Sequence, residues 1–180
     1  MNLTIDIGNT RTKIALFDGE TFVREEKFEN TDAEHLLNVV KEKEAEGLAF
    51  CSVAAENPLL VEALKQLPYP VLEVKGTTPA PVTVAYRTPE TLGADRLAAV
   101  VGAVTLKPQT DLLVVDAGTC ITYDFVDAAG NYLGGNISPG VEMRLEALHN
   151  CTARLPRIEA DGDTPDIGHD TETAIRAAVV

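Results

Sequence analysis

The stretch LTIDIGNTRTKIALFDGE, residues 3–20, opens on an apolar run that carries a carboxylate, Asp6, where a hydrophobe would be more stable. The run reads as a strand over Asn2–Asp6, with Asp6 at a position expected to be buried. Gly8, Asn9 and Thr10 follow as turn chemistry, and Thr12–Phe17 alternates as a second strand. A turn at Asp18-Gly19-Glu20 leads into a third strand over Thr21–Phe28. Three short strands joined by glycine turns predict an antiparallel meander.

Beyond the meander, Thr31-Asp32 reads as a helix N-cap. The spacing of Leu36, Leu37 and Val40 predicts a helix over Ala33–Glu46, stopped by Gly47. A strand over Leu48–Val53, a helix over Pro58–Gln66 and a strand over Val71–Val74 follow. Gly76–Pro81 (GTTPAP) has linker composition. A further helix begins between Pro89 and Ala94 and runs to about Leu106. The segment LLVVDAGTCITYDFVDAAG, 112–130, then repeats the opening as strand, Asp-x-Gly, strand, turn, strand, and Asp116 lies 110 residues after Asp6. An internal repeat implies two halves of related topology. The expected fold class is α/β, each half a mixed sheet with an initial antiparallel meander and flanking helices.

Composition narrows the function. The chain has 180 residues, 45% of them apolar, so it can bury a core, and a net charge of -13. That charge argues against nucleic acid or an anionic membrane as partner, because both demand clustered Lys and Arg. No basic-then-apolar leader is read at the start, and no apolar run is long enough to span a bilayer. Cys51, Cys120 and Cys151 are odd in number and widely spaced, which speaks against zinc and against a disulfide framework. Reduced cysteines point to the cytoplasm.

Three motifs carry candidate chemistry. A tight turn at Asp6-Ile7-Gly8-Asn9-Thr10 can aim backbone N–H groups at a phosphate, with glycine leaving room, Thr10 adding a hydroxyl and Lys13 a charge. Asp6 beside phosphates calls for a cation between them, usually Mg2+ with its waters. The same residues also make an ordinary hairpin turn. Asp116-Ala117-Gly118-Thr119 ends the apolar run LLVV with a second carboxylate, where an unpaired charge is costly. Two such carboxylates facing one cleft would clamp a metal-bound triphosphate. The third motif, Leu92-Gly93-Ala94-Asp95-Arg96-Leu97, puts Asp95 in the first turn of a helix. There it either caps the helix or accepts a hydroxyl proton, and Arg96 is either a surface residue or a grip for a substrate carboxylate. Tyr86 fits a strand aromatic or a substrate wall equally well. The loop 161–166 lacks the glycine of a calcium loop and carries Pro165 at a ligand position, so it is set aside. His35, His149 and His169 show no metal-ligand spacing.

Taken in order, DIGNT at 6–10, GADR at 93–96, DAGT at 116–119 and GGNISPG at 134–140 resemble type III pantothenate kinase, a family of the actin-like ATPase and sugar-kinase superfamily. The resemblance runs from residue 1 to about 176. It implies duplicated RNase H-like (actin-like) halves, 1–78 and 79–180, the second incomplete at its C-terminus. It implies ATP-dependent phosphorylation of pantothenate, the first step of coenzyme A biosynthesis, by a homodimer. Asp6, Ile7, Gly8, Asn9, Thr10, Arg11, Thr12 and Lys13 match the first phosphate-binding motif, and Thr119 resembles an ATP-contacting threonine. Asp95 matches the proposed general base. Gly93, Ala94 and Arg96 match substrate contacts, Tyr86 looks like the family's aromatic substrate residue, and Thr171 matches a threonine that reaches pantothenate near the dimer interface. Asp116 matches a monovalent-cation position, for K+ or NH4+, where the bottom-up reading suggests Mg2+. The family usually runs well beyond this length and closes with a glycine-rich adenosine-binding motif. Another small-alcohol kinase of the superfamily and a non-catalytic regulatory or accessory relative are the alternative readings.

Overall fold

The computed structural model describes residues 1–8, 10–29, 33–42, 45–52 and 58–180. By its internal contacts the chain divides into two compact units, residues 1–112 with 126–134, and residues 113–125 with 135–180. Among the described residues no helix is long and apolar enough to cross a membrane.

The first unit is built on a five-stranded mixed sheet of order β3-β2-β1-β4-β5. Its strands are β1 (Asn2–Ile7), β2 (Arg11–Asp18), β3 (Thr21–Glu29), β4 (Gly47–Ser52) and β5 (Val71–Glu73). β1, β2 and β3 form the antiparallel meander, while β4 joins β1 and β5 joins β4 in parallel. Alternation sets the faces. Leu3, Ile5 and Ile7 of β1 are buried, as are Ile14 and Leu16 of β2 and Leu48 and Phe50 of β4. Residues with side chains of the opposite parity, Asp6 and Lys13 among them, lie on the other face.

Two helices cover the apolar face. α1 (Ala33–Lys41) buries Leu36 and Val40, and α2 (Pro58–Lys65) buries Leu60 and Leu64, each pair one turn apart. All four join the strand residues in a single core cluster. Each such aliphatic side chain taken out of water stabilises the fold by about 1.5–3 kcal/mol.

α1 is shorter than the periodicity predicts and ends at Lys41 rather than Glu46. Glu46 is drawn to the chain start instead. Its N–H donates to the Met1 carbonyl at 2.7 Å, and its carboxylate stands 3.3 Å from the N-terminal ammonium. The expected N-cap at Thr31-Asp32 and the last residue of the strand expected over Leu48–Val53 lie outside the described residues.

The remaining helix of the first unit, α3 (Ala94–Leu106), follows a 3-10 turn at Pro89–Thr91, lies against β4 and buries Ala94, Arg96, Leu97 and Val100. Gly76, in the segment of linker composition, is buried where an added Cβ would strike the Pro89 and Leu92 carbonyls.

A second sheet has the order β6-β9-β8-β7, with β6 (Thr83–Val84), β7 (Leu112–Ala117), β8 (Cys120–Val126) and β9 (Asn131–Pro139). β6 runs parallel to β9, pairing Thr83 with Asn131 and Val84 with Tyr132. β7, β8 and β9 are neighbours joined by short connections, which only antiparallel hairpins allow. In the second unit α4 (Val141–Asn150) and α5 (Thr171–Val179) share a small core of Leu145, Ile158, Ile175 and Val179. α5 starts on a capping box in which Asp170 accepts from the Thr173 N–H at 2.8 Å.

Candidate active site

Strand register assembles the first part of the site. Asp6 pairs across β1/β2 with Lys13 and across β1/β4 with Cys51, so three neighbouring strands place Lys13, Asp6 and Cys51 in one row. Lys13 Nζ stands 3.7 Å from Asp6 Oδ2, and the Cys51 thiol donates to Asp6 Oδ1 at 3.5 Å. The Asp6 side chain retains 38% of its exposure, which corrects the expectation that it is buried: strand alternation turns it away from the core.

The turn after β1 is closed by the Gly8 N–H donating to the Arg11 carbonyl at 3.0 Å, and a Cβ on Gly8 would crowd that same oxygen at 3.0 Å. Thr10 and Arg11 are exposed, Asn9 lies outside the described residues, and Ile7 and Thr12 are buried on the core face. Of the residues in the Asp6–Lys13 motif, the structure therefore brings Asp6 and Lys13 together and turns Ile7 and Thr12 to the opposite side.

The second part comes from the start of α3. Gly93 is the N-cap and supplies no side-chain cap. Asp95 does that work in the first turn, accepting the Arg96 backbone N–H at 2.8 Å. Arg96 is 5% exposed, so it is no surface arginine. Its guanidinium carbon lies 5.7 Å from the centre of the Tyr86 ring.

Cys51 links the two parts electrostatically. Burial pushes its thiol up to about 12, the Asp6 charge and hydrogen bond add to this, and the Asp95 charge adds further, while Lys13 opposes them. Asp6, Lys13 and Cys51 thus stand together by strand register, and the Asp95 charge is among those that raise the thiol. Cys51 is the member that sequence reasoning missed. It stands beside Asp6 through pairing of β1 with β4, strands far apart in sequence, and no local pattern signals it.

The second unit holds the other candidates. Asp116 and Thr119 are exposed at the end of β7 and in the following turn. Leu113 and Val115 of the same strand are more than half exposed, so the expected burial of Asp116 in an apolar run is corrected as well. Gly118 N–H donates to the Cys120 carbonyl at 2.9 Å, and Gly140 N–H donates to the Thr119 carbonyl at 3.0 Å. The end of the GGNISPG segment is thereby fastened to the DAGT turn. Thr171 is exposed at the first position of α5, in an open cleft lined by Arg154, Pro156, Asp170, Thr171 and Glu172.

Among the described residues no three His, Cys, Asp or Glu side chains gather as a metal cage. A lone half-exposed carboxylate such as Asp6 suits Mg2+, which binds through one or two carboxylates, waters and substrate phosphates. A mixed α/β fold that sets a carboxylate–lysine pair beside a strand turn, and a second carboxylate at a helix start, has the residue types of a site for a small polar ligand.

The comparisons narrow this class. The family model for type III pantothenate kinase matches residues 2–180. A type III pantothenate kinase of Bacteroides fragilis is 51% identical over 99% of this chain and 74% of its own length. That of Phocaeicola vulgatus is 47% identical over 100% of this chain and 74% of its own. This chain belongs to the type III pantothenate kinase family. Among solved structures, a Baf family protein from Campylobacter jejuni superposes with a TM-score of 0.62 at 22% identity, covering 98% of this chain and 73% of that one, a likeness of fold.

Proposed function

We infer that the chain phosphorylates pantothenate with ATP, the first step of coenzyme A biosynthesis. The family match across residues 2–180 carries the reading to this substrate pair. Asp6 bonded to Lys13 and Cys51, and Asp95 at the start of α3, support the reading from within the first unit. In this reading Asp95 takes the proton from the primary hydroxyl of pantothenate as its oxygen attacks the γ-phosphorus, and ADP leaves with the bridging oxygen. Lys13 and the N–H groups of the turn after β1 hold the phosphates. Asp6 holds Mg2+ through its exposed edge, and that ion neutralises phosphate charge when bound. Tyr86, Gly93, Ala94 and Arg96 hold pantothenate, with Arg96 on its carboxylate. Thr119 contacts ATP, and Asp116 takes a monovalent cation, K+ or NH4+.

The duplicated opening motif, with Asp6 and Asp116 each ahead of a glycine turn, supports two RNase H-like halves, 1–78 and 79–180. A homodimer in the cytoplasm, with Thr171 contributing near the subunit interface, completes the reading.

The test is a pantothenate-dependent ADP-release assay on wild type and Asp95→Asn, with nucleotide affinity measured alongside. Removing a positioned general base lowers turnover by about 10²–10⁴-fold while nucleotide affinity is kept. An Asp95→Asn variant as active as wild type removes the base from this role. A chain that binds neither ATP nor pantothenate favours the accessory-protein reading.

A further inference from the structure

GGNISPG begins with a glycine that substrate chemistry does not account for. The parallel register of β6 and β9 pairs Val84 with Tyr132. The Ala85 N–H still donates to the Tyr132 carbonyl at 3.0 Å. Carried two residues on, the register sets Tyr86 opposite Gly134. There a Cβ would lie 3.7 Å from the Tyr86 ring, and the backbone φ of +113° bars other residues from the position. The Tyr86 ring lies beside Gly134 and comes nearly parallel to Tyr132. The ring centres are 6.4 Å apart and the planes 7° apart, an offset stack. Tyr132 is 0% exposed, so this ring is held on every side. Tyr86 is only half-buried, and the Arg96 guanidinium lies over it. Tyr86 is the shared member of this column of contacts, meeting the buried Tyr132 ring and the buried Arg96 guanidinium.

We propose that Tyr132 is a positioning residue for substrate recognition: through the Tyr86 ring it fixes the plane of the Arg96 guanidinium, and so sets selectivity for the carboxylate of the substrate. The inference rests on the proposed pantothenate reaction, because it takes Arg96 as the carboxylate grip. A planar guanidinium recognises a carboxylate edge-on, through two parallel N–H donors, and a tilt weakens both bonds together. A guanidinium has little to gain from an uncharged end group, so the column acts on the acid and not on its neutral analogues.

The test compares Tyr132→Phe, Tyr132→Leu and Tyr132→Met in the full chain. Steady-state kinetics are measured for pantothenate, for its alcohol analogue with the carboxylate reduced to a hydroxymethyl group, and for ATP. Aromatic-pair energetics set the expectation that Leu and Met raise KM for pantothenate about 3- to 10-fold. The KM for ATP and the weak use of the alcohol stay within about twofold, and Phe, which keeps the ring, keeps the wild-type KM for pantothenate. In a Tyr86→Leu background the further effect of Tyr132→Leu vanishes. Equal losses for both substrates that follow thermal stability, or a Phe variant as impaired as Leu, overturn the inference. Should loss of the ring unfold the chain, Tyr132→Trp, which keeps a ring but displaces it, is read in the same way.

Calorimetric binding of pantothenate without ATP separates this inference from the reaction. Binding without turnover sinks the reaction and leaves the Tyr132 comparison readable in Kd. A wild type that neither binds nor turns over pantothenate overturns both.

Discussion

A Cβ placed on Gly93 would fall on Oδ1 of Asp95, the oxygen that accepts the Arg96 N–H. The Gly93 backbone, at φ -57° and ψ 130°, is one that any residue adopts, so the clash and not the conformation keeps glycine here. The atom in the way is the end of a short side chain, which can swing aside. Gly93→Ala therefore folds with stability within about 1 kcal/mol of wild type, yet the displaced carboxylate lowers kcat by about tenfold or more. Thermal unfolding and turnover measured on the same preparation check this. An alanine variant with native kcat shows that the Asp95 rotamer is immaterial.

The Lys13–Asp6 pair predicts a split between stability and nucleotide affinity. Both side chains keep more than a third of their exposure, so water screens the pair and its contribution to folding is small. Lys13→Met is expected to leave the unfolding midpoint in place while raising KM for ATP several-fold. A marked fall in stability with unchanged KM would reverse the assignment, making Lys13 a structural ion-pair partner.

Cys51 predicts an alkaline limit to stability. Its folded-state value of about 12 lies above the ordinary 9.0, so between those values the folded protein holds a proton that the unfolded chain has lost. The thiol's contribution is complete below pH 9 and fades as pH rises toward 12, by up to about 4 kcal/mol. Urea unfolding of the metal-free chain at pH 8.5 and at pH 11 measures it, and Cys51→Ser, with no titrating thiol, should show a flatter dependence. Alkylation at pH 8 supplies a second reading: exposed Cys151 is modified and buried Cys51 is spared. Parallel pH profiles for the two proteins contradict the assignment.

Gly140 predicts the opposite balance from Gly93. A Cβ there meets the backbone carbonyls of Gly118 and Thr119, which cannot rotate away as a side chain can. Gly140→Ala should cost about 1–3 kcal/mol of stability and push the turn beyond Asp116 out of place. The proposed roles of Asp116 and Thr119 add that activation by K+ and KM for ATP are both impaired. Normal potassium activation in a destabilised variant would detach the turn from the cation.

Much was legible from local pattern. The meander from Asn2 to Phe28, a helix starting between Pro89 and Ala94 and the place of Asp95 in its first turn follow from alternation, turn residues and capping chemistry. These act over a few residues. The motifs DIGNT, GADR, DAGT and GGNISPG named the family because their order is itself a property of sequence.

What only the tertiary structure decided lies between segments. Local alternation gives each strand two faces but leaves open which face meets the core and which residue stands opposite which. Asp6 was therefore expected inside, and it lies half-exposed because Leu3, Ile5 and Ile7 take the core side. The helix expected to reach Glu46 stops at Lys41, and Glu46 bonds to Met1 instead. Cys51 stands beside Asp6, and Tyr132 under Tyr86, through strand registers joining residues more than forty positions apart. Register is set by the summed burial and hydrogen bonding of whole strands, and no short stretch of either strand carries that sum.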